Sequence, residues 1–300
     1  MQELAPIVLF VYNRPWHTKK TIEALKNNEL AGESDLFIFA DNTVDDKNKE
    51  SVDSVRSYVK TIDGFKTVNI VGRETNFGLA KNVISGVTEV IDRYSKVIVL
   101  EDDIVCARTY LSYMNKLLSY YQYNKKIYSV TGYTYPIKIP VNYKYDVYFS
   151  PRASSWGWGT WKDRWETVDW EVKDYVNFIK NPKRIKSFNA GGDDLTKMLK
   201  EQMNGKIDSW SIIWSYAHFK NNSYCVFPTK SRLKNIGADR SGIHTNKTKK
   251  FDVELYEEET ELNLKEEVIF DQAIIKNFQK FFSQNMSKKI ISELNNLLSK

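Results

Sequence analysis

Three adjacent acids, Glu101, Asp102 and Asp103, directly follow the apolar run Val97 to Leu100. Two carboxylates about 5 Å apart repel each other by roughly 3 kcal/mol at an effective dielectric constant near 20, so the cluster needs a positive partner. Carboxylate oxygens suit a hard divalent ion such as Mg²⁺ or Mn²⁺, which usually keeps several waters and also binds substrate phosphates. The cluster therefore predicts a metal site that holds a diphosphate.

Polar side chains also follow three other apolar runs. The first run is followed by Arg14, whose guanidinium can bind phosphate or ribose oxygens, and by Pro15, which suits the first turn of a helix. Asp41 and Asn42 follow the second run, and the polar turn RETNFGLAKN (73–82) follows the third. Any one of these residues could be an ordinary helix cap. Four successive strand ends with ligating side chains favour a binding site.

The elements that must position these residues alternate along the first 135 residues. Short apolar runs predict strands at 6–12, 35–40, 67–71, 96–100 and 127–132. Three- and four-residue apolar spacing predicts helices at 16–28, 78–93 and 108–123. Buried strands that alternate with helices predict an α/β fold with a doubly wound, mostly parallel sheet, whose ligands bind at the carboxyl ends of the strands.

The rest of the chain is less regular. Residues 136–235 contain one clear helical pattern at 208–221 and a short strand, YCVFP (224–228). No linker rich in Pro, Gly or Ser separates this part from the first, so we expect both halves to share one fold. Acids dominate 252–267, and the last 25 residues have the apolar-and-lysine pattern of an amphipathic helix.

Composition narrows the class of protein. The chain is 42% hydrophobic and 27% charged, which is typical of a globular protein, and its two cysteines give neither a disulfide framework nor a zinc spacing. The net charge of +6 mildly favours anionic partners, but without an arginine-rich stripe or a helix-turn-helix pattern it does not indicate nucleic acid. The first apolar run is too short for a membrane span and leaves no room before it for a signal peptide, which predicts a cytoplasmic location.

The order of the motifs resembles a known family. NRP (13–15), Asp41, NFGLAKN (76–82) and EDD (101–103) together resemble the GT-A nucleotide-sugar glycosyltransferases. They are similar both to the large bacterial family 2 enzymes and to the inverting N-acetylglucosaminyltransferase that initiates complex N-glycans. The resemblance implies a GT-A domain over 1–250, with a nucleotide-sugar half at 1–135 and an acceptor half at 136–250. An acidic segment and C-terminal helices would follow at 251–300.

The resemblance also implies roles for single residues. Arg14 and Asp41 would contact the nucleotide, with Asp41 at the uracil edge. Asp103 would ligate Mn²⁺ or Mg²⁺, Asp102 would approach the ribose and Glu101 the donor sugar. Three further residues would line the nucleotide pocket: Asn76, Gly78 and Lys81.

The segment SSWGWGTW (154–161) resembles the family's Gly-Trp acceptor loop. Glycine lets backbone approach a ligand closely, and indole rings can stack on sugar faces. We therefore expect Trp156, Gly157 and Trp158 to contact the acceptor.

The histidines and one arginine give further candidates. The stretch NIGADRSGIHT (235–245) resembles the family's lid over the donor, in which Arg240 is a candidate diphosphate ligand. His244 is a candidate ligand of the metal or the diphosphate, against the alternative of an ordinary loop histidine. His17 is expected to be solvated, and His218 to be packed within the helix predicted at 208–221.

A catalytic base is expected in KIDSWSIIW (206–214), which resembles the Trp-Asp-Asp-Trp-like turn that holds the family's base. Asp208 is the candidate, and the alternative is that it only caps the helix that follows it. The match is incomplete, because one acid is present and Ile207 stands where the family has a tryptophan. Asp193 and Asp194 therefore remain alternatives.

These observations predict an inverting, metal-dependent glycosyltransferase that moves a sugar from a UDP-sugar to a hydroxyl of a glycan. Analogy with family 2 suggests a bacterial surface polysaccharide or a lipid-linked oligosaccharide as the product. The alternatives are a sugar nucleotidyltransferase, although the first strand lacks a Gly-rich phosphate loop, and a non-catalytic nucleotide- or glycan-binding protein. The C-terminal helix is expected to dock on the catalytic domain, or otherwise to make a peripheral contact with the inner membrane face.

Overall fold

The computed structural model describes residues 3–239, 248–258 and 261–283. An eight-stranded sheet with the strand order β3-β2-β1-β4-β8-β6-β9-β7 forms its centre, and β5 and β10 form a separate two-stranded sheet. The strands are β1 (Ile7–Val11), β2 (Asp35–Ala40), β3 (Thr67–Gly72), β4 (Lys96–Glu101), β5 (Ile104–Cys106), β6 (Ile127–Thr131), β7 (Val147–Ser150), β8 (Trp158–Trp161), β9 (Tyr224–Pro228) and β10 (Leu233–Asn235). The helices are α1 (Pro15–Lys26), α2 (Lys49–Val59), α3 (Leu79–Tyr94), α4 (Tyr110–Tyr120), α5 (Lys162–Trp165), α6 (Tyr175–Ile179), α7 (Pro182–Phe188), α8 (Leu195–Met203), α9 (Trp210–Lys220) and α10 (Gln272–Phe282).

The first four strands of the large sheet are parallel, and they bring the polar strand ends together. β1 pairs with β2 on one side and with β4 on the other, so that Val11 lies beside Ala40 and Phe10 beside Glu101. The predicted α/β class and the mostly parallel, doubly wound sheet are confirmed. One detail was wrong, because β3 was expected to be buried and four of its six residues are exposed. It is an edge strand that pairs only with β2.

The second half of the sheet is mixed. β8 runs antiparallel to both of its neighbours, β4 and β6, and β7 runs antiparallel to β9. The sequence predicted β6, β9 and α9 here, and the structure confirms them. It did not predict β7, β8 or the short helices α5 to α8, because elements of four to nine residues are too short to show a clear apolar period.

Two apolar layers cover the sheet because successive residues of a strand point to opposite faces. One layer packs Leu9, Ile38 and Leu100 against apolar side chains of α1, α2 and α4. The other packs Val8 and Phe39 against α3 and α9. Burying each large apolar side chain contributes about 1.5–3 kcal/mol, so these layers hold the strand ends in place.

The C-terminal part adds one described helix. α10 packs Ile274 and Phe278 against Tyr148 of β7 and Phe227 of β9. The amphipathic helix predicted at the very end of the chain lies outside the described residues, which stop at 283. Within the described ranges, every helix is too short or too polar to cross a bilayer.

Candidate functional site

A cavity of about 560 Å³ lies at the carboxyl ends of β1, β2 and β4. It is bounded by the strand ends on one side and by residues of α8, of α9 and of the turn before α9 on the other. It brings together nine of the residues that the sequence singled out: Arg14, Asp41, Asn76, Gly78, Glu101, Asp102, Asp103, Trp156 and Asp208. The lining residues Met198, Glu201 and Ser211 were missed, since nothing in their spacing links them to the strand ends.

Arg14 supplies the positive partner that the acid cluster needs. Its Nη1 donates to Asp103 Oδ2 at 2.9 Å and lies 3.7 Å from Asp102 Oδ1. One guanidinium does not offset three acids. Burial, followed by the charge of Asp103, raises the pKa of Asp102 well above its usual range. Burial, followed by the charges of Asp103 and Asp102, does the same to the pKa of Glu101. The cluster therefore still favours an additional cation.

Unpaired polar atoms show what this end of the cavity fits. Within the described residues, the buried Asp103 Oδ1 accepts no hydrogen bond, and two buried nitrogens of Arg14, Nε and Nη2, donate none. A free carboxylate oxygen next to free guanidinium donors suits a divalent cation together with an anion such as a phosphate. Among the described residues, no group of three or more His, Cys, Asp or Glu could hold a metal by itself. An ion bound at Asp103 would thus take ligands from the substrate and from water.

Asp41 holds the turn that leads into α3. Its Oδ1 accepts from the backbone N–H of Phe77 at 2.9 Å, and its Oδ2 accepts from the N–H of Gly78 at 3.1 Å. Asn76 Oδ1 also accepts from Gly78 N–H, at 3.0 Å. Gly78 has a φ of 74°, a conformation that favours glycine. These bonds give Asp41 a structural role, and its contact with a uracil remains a prediction.

Lys81 does not line the cavity. Its side chain is exposed, and its Nζ lies 4.3 Å from the centroid of the Phe77 ring. The sequence placed it in the nucleotide pocket because it belongs to the same motif as Gly78. It lies two residues into α3, however, and α3 turns it away from the cavity wall.

Asp208 is bound to a different helix from the one expected. α9 begins at Trp210, and the Asp208 side chain does not cap it. Instead, Asp208 Oδ2 accepts from the backbone N–H of Ala80 at 3.2 Å, in the first turn of α3. The alternative role of a cap is therefore found on α3 and not on α9, and the carboxylate lies at a helix N-terminus, where the helix dipole favours negative charge.

The two alternative acids lie elsewhere. Asp194 makes a bidentate ion pair with Arg152, with Nη1–Oδ1 and Nη2–Oδ2 distances of 2.7 and 2.9 Å. Asp193 is exposed and outside the cavity. Of the three candidate bases, only Asp208 shares the cavity wall with the acid cluster.

The Gly-Trp segment is divided between the site and the core. Trp156 is half-buried and lines the cavity, as an acceptor contact requires. Trp158 is 0% exposed and packs against Trp210 in the core, so its predicted acceptor contact is corrected. Gly157 is also structural, because a Cβ there would lie 2.1 Å from Leu233 Cδ2 and its φ is 49°. The close approach that this glycine permits is to a side chain of the protein.

The segment that follows β10, which is the start of the predicted lid, covers the acid cluster. The backbone N–H of Ile236 donates to the Asp103 carbonyl at 2.8 Å, and a Cβ on Gly237 would lie 2.0 Å from Asp103 Oδ2. Asp239 pairs with His17, with an Nε2–Oδ2 distance of 3.1 Å. His17 is buried, which lowers its pKa, so its predicted solvation was wrong. The sequence did not predict how this segment reaches the site, which is by the pairing of β10 with β5, more than 120 residues earlier.

Two predicted ligands, Arg240 and His244, lie outside the described residues. The described part of the predicted lid, 236–239, lies against the acid cluster.

No family model and no curated protein matches the sequence. Among solved structures, the chain is similar to S. aureus TarS, with 10% identity and a TM-score of 0.40 over 76% of this chain and 36% of that one. It is also similar to S. aureus TarS 1–349 in complex with UDP, with 9% identity and a TM-score of 0.40 over 76% and 59% of the two chains. A third is the mannosyltransferase PcManGT from Pyrobaculum calidifontis in complex with GDP-Man and Mn²⁺, with 11% identity and a TM-score of 0.40 over 73% of each chain. The chain thus spans less than two thirds of either TarS chain, and likeness at this level does not establish a shared ligand or activity.

Proposed function

We propose that this protein is an inverting, divalent-metal-dependent glycosyltransferase that moves a sugar from a UDP-sugar to a hydroxyl of a glycan. The observation that carries the proposal is that one cavity contains unbonded donors on Arg14, an unbonded oxygen on Asp103 and the carboxylate of Asp208, as judged within the described residues. The first two suit a diphosphate and its cation, and the third suits a base. A cavity of about 560 Å³ is within the usual range for small-molecule sites.

The donor end binds the leaving group. Arg14 Nε–H and Nη2–H, which make no hydrogen bond within the described residues, would donate to diphosphate oxygens, while Asp103, with Asp102 beside it, would hold the cation. When bound, such a cation neutralises the charge that develops on the departing diphosphate. The segment 236–239 restricts water at this end, since Gly237 lies against Asp103 and Asp239 lies 3.9 Å from Arg14.

Asp208 takes the proton. In a single displacement, the acceptor oxygen bonds to the sugar C1 on the face opposite the diphosphate while the C1–O bond to the diphosphate breaks, and the acceptor proton passes to Asp208. The configuration at C1 is thereby inverted. One carboxylate is enough for this reaction, and the hydrogen bond from Ala80 N–H holds that of Asp208 in direction.

The acceptor end fits a sugar. The half-buried Trp156 lines the cavity of about 560 Å³, which we call the donor cavity. Aromatic rings stack well on the apolar faces of sugars. We propose a glycan of a bacterial surface polysaccharide or a lipid-linked oligosaccharide as the acceptor. Peripheral contact with the inner membrane face would follow from a lipid-linked acceptor.

The first test is ligand-induced stabilisation. UDP-, GDP- and CMP-sugars are screened by thermal shift with and without Mn²⁺, because a ligand at 100 times its Kd stabilises by about 2.7 kcal/mol. We expect the UDP-sugars to stabilise the protein in a Mn²⁺-dependent way and Asp103→Asn to lose that dependence. Asp193→Asn, an exposed acid outside the cavity, is the matched control. Unchanged metal-dependent stabilisation of Asp103→Asn would contradict the proposed donor site.

The second test is the stereochemistry of transfer. The anomeric configuration of the first product formed is followed by proton NMR with the donor sugar identified in the screen. We expect inversion. Retention would refute the role of a single base, and donor binding without any turnover would support a binding protein instead.

A further inference from the structure

A second cavity, of about 920 Å³, adjoins the donor cavity, and we call it the second cleft. Four residues belong to the walls of both cavities: Ser155, Trp156, Met198 and Ser211. A ligand in the second cleft can therefore reach the donor cavity past the ring of Trp156. The far wall is formed by Lys250, Phe251 and the last turn of α10, for which no role was predicted.

The second cleft carries uncompensated positive charge. Among the described residues that line the cleft, the one acidic residue is Asp194, whose charge is neutralised by its bidentate ion pair with Arg152. Lys250 and Lys280 also line it, and neither forms an ion pair with a carboxylate of the described residues. The ammonium of Lys250 lies instead 4.6 Å from the centroid of the Phe281 ring. Two lysines on one wall attract an anion.

The cleft is also rich in aromatic side chains. Trp156 meets Phe251 edge to face with ring centroids 5.6 Å apart, and Phe251 meets Phe281 at 5.7 Å. The three rings form a continuous wall from the donor cavity to the lysines. Ser211 and Ser215 of α9 line the cleft as well. Aromatic faces next to hydroxyls suit a sugar chain, and the lysines suit a charged group on it.

We propose that the second cleft binds an acceptor glycan that carries negative charge, either a phosphodiester or a carboxylate. This inference rests on the proposed glycosyl transfer. The charged unit lies at Lys250 and Lys280, and the chain runs along Phe281, Phe251 and Trp156. Its terminal hydroxyl then enters the donor cavity near Asp208.

The test measures binding without donor, by calorimetry at low ionic strength. Two acidic probes are compared with neutral counterparts: an oligogalacturonate with its methyl ester, and a glycerol phosphodiester oligomer with neutral polyglycerol. One exposed lysine–anion pair changes affinity by about 1.5- to 5-fold, so two favour an acidic probe by about 2- to 25-fold. We expect at least one acidic probe to bind with this preference, and the preference to fall as salt is added. The stronger acidic probe identifies the charged group.

Variants localise the binding. The double change Lys250→Gln and Lys280→Gln should abolish the preference for the acidic probe and leave binding of the neutral probe within about twofold. Lys116→Gln with Lys183→Gln, two exposed lysines outside the cleft, is the matched control and should keep the preference. Phe281→Ala should weaken the acidic and the neutral probe alike.

Two outcomes would overturn the inference: equal affinity for acidic and neutral probes, or an unchanged preference in the Lys250 and Lys280 double variant. Neither depends on the donor site. If UDP-sugars do not stabilise the wild type in a Mn²⁺-dependent way, that result would instead contradict the proposed function. A wild type that transfers sugar equally well to neutral and acidic glycans would keep the function and remove this inference.

Discussion

Replacing Asp208 by Asn separates its proposed chemistry from its structural contact. The described structure gives the Asp208 side chain one hydrogen bond, from Ala80 N–H to Oδ2 at 3.2 Å. An amide oxygen can accept the same bond, so Asp208→Asn keeps the shape and the contact with α3. The substitution does remove the basicity of the Asp208 side chain. The two roles therefore respond differently to one substitution.

The magnitudes follow from each role. A positioned general base contributes about 10²–10⁴ in rate, which corresponds to about 3–5 kcal/mol of the barrier. We expect Asp208→Asn to lose kcat by that factor and to keep its melting temperature and its affinity for UDP-sugar. Asp208→Ala also loses the bond to α3, and a lost helix cap costs about 0.5–2 kcal/mol of the free energy of unfolding. This second variant should melt a few degrees lower.

The assay is single-turnover transfer to a fixed acceptor, with thermal melts and donor titrations of the same preparations. Asp193→Asn is the control, because Asp193 is exposed and lies outside the cavity. Turnover of Asp208→Asn within a few-fold of wild type would refute the role of base. In that case Asp208 only holds α3, and Asp194, which is already paired with Arg152, would be tested next.

Three further predictions concern the fold. Gly157→Ala should lower the free energy of unfolding in urea by about 1–3 kcal/mol more than Gly205→Ala, because the new Cβ at 157 would lie 2.1 Å from Leu233. Gly205 is the control, since it also has a positive φ but has nothing within 4 Å of a new Cβ. Equal losses of stability in the two variants would contradict the packing explanation. Burial lowers the pKa of His218 to about 4, so the unfolded chain binds a proton at this residue more readily below pH 6.5, and the contribution of His218 to the free energy of unfolding should fall by about 3 kcal/mol between pH 6.5 and 4. An NMR titration that shows this imidazole protonated at pH 6 in the folded protein would disprove it. Burial raises the pKa of both cysteine thiols to about 12, so both should resist a thiol reagent at pH 8 until the protein is unfolded, and fast labelling of the native protein would count against this.

The sequence predicted most of the first half of the fold because its strands and helices differ in apolar period, but it missed α2 and β5. β1, β2, β4, α1 and α3 all lie within two residues of their predicted bounds. The second half failed where elements are short. β8 has four residues, WGTW, whose composition indicates a ligand loop as readily as a strand. Its place between β4 and β6 depends on pairings that no local pattern shows.

The candidate site was likewise predictable from the sequence only in part. The residues at the strand ends could be grouped from sequence, because parallel strands end at one edge of a sheet. Side-chain direction could not be predicted. Trp156 and Trp158 look alike in the sequence, yet one lines the cavity and the other is 0% exposed. The second cleft was not predicted at all, since its walls come from six separate parts of the chain that only the fold assembles.

The bond between Asp208 and Ala80 joins positions 128 residues apart, and it bears on how such a protein can be recombined. Ala80 lies in the first turn of α3, and Asp41 fixes the entry to that turn through Phe77 and Gly78. A chimera that takes residues 136–235 from another protein would import an acid at this place without the turn that aims it. Specificity engineering by exchange of the acceptor half should therefore include 73–82 in the exchanged material, and libraries confined to one half should yield folded but slow variants.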